Sequence, residues 1–118
     1  MTFQNLLARL KSGEADFEDV IAYVNDHYEY TPTRFTNGRG TDAVINEAGK
    51  NEGSCRLFAL AKIKGLSEAD TVQLFGRFYR DDVLKHPEGT DHGNIRTFLR
   101  EGWAGIQFDG VALAPKGD

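Results

Sequence analysis

The segment from Glu52 to Lys64 limits what this chain can fold into more than any other. Leu57, Phe58, Leu60, Ala61 and Ile63 point in most directions around a helical axis, and Gly65 ends the run. A helix that is apolar nearly all round has to be enclosed, so this one is predicted as the central helix. The flanking segments supply its cover. Phe3, Leu6, Leu7 and Leu10 form one amphipathic stripe, stopped by Ser12-Gly13. Phe17, Val20, Ile21, Val24 and Tyr28 form another, opened by Asp16 as N-cap and closed before Tyr30-Thr31-Pro32. Ser67 caps a fourth helix, with Asp70 in a capping-box position, predicted to run to about Lys85 ahead of Pro87. Thr90 or Asp91 caps a fifth, ended by Gly102.

Residues 31–51 hold Gly38, Gly40 and Gly49, with Asn37-Gly38 as a turn signal. They read as a long irregular loop, with a short strand or turn near Ala43-Val44-Ile45. Trp103, Ile106, Phe108, Val111 and Leu113 indicate an extended or short-strand tail packed back on the helices. The expected fold is therefore mainly α. It is a single domain over residues 1–118: a compact bundle of about five helices with a Gly/Asn-rich loop (31–51) and an extended C-terminal tail.

Composition narrows the function. With 40% hydrophobic residues the chain can build a core. Its net charge of −4, without any Lys/Arg cluster, argues against a nucleic-acid footprint and against an anionic membrane surface. The apolar run Leu57 to Ala61 is too short to span a bilayer, and no basic-then-apolar leader opens the sequence. A single cysteine excludes an intrachain disulfide and fits a reducing compartment.

The functional lead is a set of polar residues on faces that should be apolar. On the fourth helix, Val72, Phe75, Phe78, Tyr79 and Val83 form an arc with Asp82 in its middle, while Arg77, Arg80 and Asp81 fall outside. A carboxylate facing a core needs a partner. On the fifth helix Ile95, Phe98 and Leu99 form the inner face; His92 lies on that side and Arg96 one turn beyond, so both are candidate partners. The third helix opens with Asn51-Glu52-Gly53-Ser54-Cys55, where free amides and partial positive charge favour an anion and lower a thiol pKa.

Three readings follow. The leading one is a binding or interaction domain for a protein or small-molecule partner, with Asn51, Glu52, Ser54, Arg80, Asn94 and Arg96 as binding residues. The second is a hydrolase or transferase with Cys55 as nucleophile, His92 as base and Asp82 orienting it. Buried, inert cysteines are the commoner case. The third is a metal site from Asp82, His86, Asp91 and His92. That spacing matches no recognised motif, so neither metal nor cofactor is expected. Ala48-Gly49-Lys50-Asn51 fails as a phosphate loop, because Val44 replaces the first glycine and Asn51 the Ser or Thr. Asp81-Asp82 fails as a calcium loop, because Val83 and Lys85 occupy ligand positions. Asn37 to Gly40 does not follow a strong strand and is no dinucleotide fingerprint.

The run Asn46-Glu47-Ala48-Gly49-Lys50-Asn51-Glu52-Gly53-Ser54-Cys55 resembles the signature of the bacterial HopJ type III effector family. So do Tyr79-Arg80-Asp81-Asp82-Val83-Leu84, Asp91-His92-Gly93-Asn94-Ile95-Arg96 and Gly102-Trp103. Tyr30-Thr31-Pro32, Phe35 and Asn37-Gly38 also fit, while Arg56 replaces a frequent lysine and Phe78 a common tyrosine. The resemblance spans nearly the whole chain. It implies a small stand-alone bacterial protein and supplies no reaction. Its signature residues include Glu52, Cys55, Asp82, His92 and Arg96. The N-terminus begins with an amphipathic helix bearing Arg9, Lys11, Glu14 and Asp16, unlike the flexible Ser-rich segment of type III export. The bacterial cytoplasm is therefore the expected location, with type III export as the alternative.

Overall fold

A computed structural model of the chain, describing residues 2–116, begins with two amphipathic helices, Phe3–Ser12 (α1) and Phe17–His27 (α2). Gly13 ends α1 in the left-handed conformation, and Asp16 opens α2 with a capping box completed by Asp19. Three short strands follow: Tyr28–Tyr30 (β1), Phe35–Asn37 (β2) and Val44–Asn46 (β3). Then come helices Glu52–Lys64 (α3) and Glu68–Gln73 (α4), a π-helical segment Phe78–Val83 and helix Gly93–Glu101 (α5). Strands Ile106–Phe108 (β4) and Leu113–Pro115 (β5) close the described chain. Among the described residues, no helix is long and apolar enough to cross a membrane.

The architecture is mixed α/β, which corrects the expected mainly-α bundle. Strand β1 pairs with β5, and a second antiparallel sheet has the order β3-β2-β4. Phe35 on β2 faces Asn46 on one side and Phe108 on the other. Strand β3 falls where a short strand or turn was expected near Ala43-Val44-Ile45, but β2 lies in the supposed loop, and the tail strands pair with strands far away in sequence. Three-residue strands show too little alternation to be read by period. Their backbone groups are satisfied only by non-local pairing, which no local pattern records.

Helix α3 is the central element. Cys55 and residues 57–61 on it are buried. The Phe58 ring meets Phe35, Phe75 and Phe98 at centroid distances of 5.9, 5.3 and 5.1 Å. Leu6 and Leu10 of α1 and Val20 and Val24 of α2 join the same core. Enclosure is incomplete at its C-terminal end, where Ile63 is 48% exposed.

The fourth helix does not continue to Lys85. It stops at Gln73, and Gly76 turns the chain with φ +58°. A Cβ at Gly76 would collide with Asp16 Oδ1 and lie 2.6 Å from the Phe17 nitrogen. That close approach lets Asp16 Oδ1 accept from the Phe17 and Arg77 amides, each at 2.8 Å. The turn is thereby docked on the start of α2. The π-helical segment then resumes in a different phase. Phe75 and Val83 are buried, Phe78 and Tyr79 half-buried, and the Asp82 side chain is 45% exposed rather than sealed in the core. On α5, Asn94 and Thr97 join Ile95 and Phe98 on the buried face, whereas Leu99 is exposed. The α5 cap is His92, not Thr90 or Asp91. In the tail Leu113 packs inward but Val111 is 76% exposed.

Candidate functional site

Among the described residues, Asn51 and His92 are the non-glycine positions with positive φ, at 50° and 51°. Each is the N-cap of a helix, Asn51 of α3 and His92 of α5. An N-cap is ordinarily extended, so that its side chain can accept from the first-turn amides. In the left-handed region, which Asn and His tolerate better than most residues, neither side chain makes that bond. The first-turn amides have no acceptor within their own helices. Both helix starts therefore present uncapped N–H groups and partial positive charge.

The two starts open on one cavity of about 380 Å³. Asn51, Gly53 and Ser54 line it from α3, and His92, Gly93, Asn94 and Ile95 from α5. Phe17, Phe75 and Phe78 form the apolar walls.

Four asparagines lock the two starts together. Asn94 Nδ2 donates to Asn46 Oδ1 at 2.9 Å, and Asn51 Nδ2 donates to the same oxygen at 2.6 Å. Asn37 Nδ2 donates to the Asn94 carbonyl at 2.8 Å and to its Oδ1 at 3.1 Å; Asn46 Nδ2 reaches that Oδ1 at 3.1 Å. Asn37, Asn46 and Asn94 are buried, so these bonds offset the cost of burying their amides, with Asn37 Oδ1 alone among them left without a partner. Sequence reasoning singled out Asn51 and Asn94 but missed Asn37 and Asn46. The available signal was period two: Asn37 follows Phe35 on the same face of β2.

At the rim, His92 Nε2 lies 2.9 Å from Asp82 Oδ2 and 3.8 Å from Asp91 Oδ2. The imidazole sits against the Phe78 ring at 5.2 Å. Arg96, whose side chain is 14% exposed, gathers the loop leading into α5. Its guanidinium donates to the Asp91 carbonyl and Oδ1, both at 2.7 Å, to the His86 carbonyl at 2.8 Å and to the Asp82 carbonyl at 3.2 Å. The hydrogen bond from Arg96 holds the Asp91 carboxyl below the usual carboxylate range.

The residues singled out from the sequence fall into two groups. Asn51, Ser54, Asn94 and His92 line the cavity, with Asp82 and Arg96 at its rim. Cys55, Glu52 and Arg80 lie elsewhere. Cys55 is buried, its thiol donates to the Thr33 carbonyl at 3.5 Å, and burial pushes its pKa up. It is not on the cavity wall, and no hydrogen bond links it to His92. Glu52 approaches the buried Tyr30 hydroxyl. Arg80 donates to the Leu10 carbonyl at 2.9 Å, tying the π-helical segment to α1. Of the four metal candidates, Asp82, Asp91 and His92 come together, while His86 contributes its carbonyl to Arg96.

The HopJ type III effector protein family model matches residues 3–113. A solved structure described as "Crystal structure of unknown function protein VPA0580" is 45% identical, with a TM-score of 0.87. The match covers 98% of this chain and 95% of that one. Among curated proteins none matches.

Proposed function

The chain belongs to the HopJ type III effector protein family, and we propose that it is a binding domain whose cavity takes a small ligand bearing an anionic group. The observation that carries this reading is the convergence of two uncapped helix starts, α3 and α5, on one cavity. Helix N-termini favour anions through their free amides and dipoles. A cavity of about 380 Å³ with aromatic walls and a few placed polar groups is of small-ligand size. Phe17, Phe75 and Phe78 suit a flat apolar body, and the amides of Gly53, Ser54, Asn94 and Ile95 suit a phosphate or carboxylate attached to it. Cytoplasmic action is part of this reading, supported by the lone unpaired cysteine.

The test uses Ser54→Asp. Ser54 is the third residue of α3 and lines the cavity. A carboxylate there favours the helix dipole but occupies the anion position. In buffer containing a chelator, phosphorylated and carboxylated aromatic compounds should raise the melting temperature of the parent protein. Ser54→Asp should be at least as stable alone and gain nothing from them. Equal gains in both proteins would place binding elsewhere, and no gain in the parent across the panel would reject the proposal.

A further inference from the structure

We propose that Asp82, Asp91 and His92 form a site for one divalent transition-metal ion at the rim of the cavity. One ligand atom from each lies within 4.8 Å of the others. Ligands at right angles on bonds of about 2.1 Å are about 3 Å apart. The 2.9 Å between His92 Nε2 and Asp82 Oδ2 matches that spacing, and the 3.8 Å to Asp91 Oδ2 fits a wider angle around the same ion. One imidazole with two carboxylates suits zinc, manganese or iron, whereas calcium and magnesium sites are built from oxygen donors.

The surroundings hold these donors in place. Arg96 binds Asp91 through Oδ1, which leaves Oδ2 turned to His92. The same guanidinium fixes the carbonyls of Asp82, His86 and Asp91, so the π-helical segment carrying Asp82 and the loop carrying Asp91 are braced together before any ion arrives. Such outer bonds orient metal ligands and tune affinity. Gly89 makes room for the brace, since a Cβ there would lie 2.6 Å from Arg96 Nη2. Both carboxylates are accessible, at 45% and 59% side-chain exposure, which gives the ion an entry path. His92 also lines the cavity, so open coordination positions would face its contents. The inference does not depend on anion binding.

The competing account is a plain hydrogen bond from His92 Nε2 to Asp82. Titrating zinc into the chelator-treated, dialysed full chain, without added phosphate, separates the two. Calorimetry should show saturable binding of one ion per chain, and cobalt should give a visible absorption band from the same site. Asp91→Asn and His92→Gln should each weaken binding about tenfold or more, with circular dichroism confirming that they fold. Gly89→Ala, which keeps every donor but disturbs the brace, should weaken it less. His27→Ala and His86→Ala should bind like the parent. If His92→Gln does not fold, Asp82→Asn takes its place. No saturable binding by the parent would overturn the proposal, as would affinity unchanged by both Asp91→Asn and the second ligand variant.

Discussion

Holding a non-glycine residue in the left-handed region costs up to about 1–2 kcal/mol, Asn and His being among the residues that bear it best. Asn51 and His92 both carry that cost, at the two helix starts that meet at the cavity. Strain of this kind persists where the surroundings over-determine it: Asn46 holds the Asn51 side chain, and Asp82 and the Phe78 ring hold His92. Cys55 shows the opposite arrangement: a thiol in the first turn of a helix, yet sealed and turned to the Thr33 carbonyl. Because burial raises its pKa, the thiolate forms only above the ordinary thiol range. Native protein at pH 8 should therefore react with iodoacetamide far more slowly than urea-unfolded protein, by about a hundredfold or more given 0% exposure. Equal rates would mean an accessible thiolate. Residue identity made Cys55 look reactive because helix position is legible in sequence, whereas exposure is not.

At the scale of elements, α1 and α2 were legible because their apolar residues repeat at helical spacing, with Gly13 ending the first and Asp16 capping the second, and α3 because its dense apolar run stops at Gly65. The fourth helix misled because Gly76 sits inside a run that otherwise looks continuous. Its need for glycine comes from α2, which no local pattern reports. Asp16 is the hinge of that contact. Burial raises its pKa, but the Arg77 and Phe17 amides and the Arg77 guanidinium outweigh this and leave it lowered. A carboxylate lowered on folding stabilises above its unfolded pKa of about 4, and that contribution is lost as pH falls through the folded value. Asp16→Ala should cost about 1–2 kcal/mol near neutrality by loss of the cap. Urea denaturation should show the gap to the parent narrowing below about pH 4. A gap independent of pH would remove the charge from this account.

At the scale of the molecule, sheets assembled from distant segments bring β2 and β3 beneath the starts of α3 and α5. Asp82 does meet His92 and Arg96, the partners expected for it, but the continuous helical phase that put it in the core did not hold, and the π-helical segment leaves it half-exposed. The cavity itself was not readable, because it depends on where two helices begin relative to each other. The most direct test of its role is an amide-resolved NMR titration with inorganic phosphate at low ionic strength, in the presence of a chelator. Saturable shifts concentrated at Gly53, Ser54, Asn94 and Ile95, absent in Ser54→Asp, are the expected result. Shifts scattered over surface lysines and arginines, or none at these four amides, would contradict it.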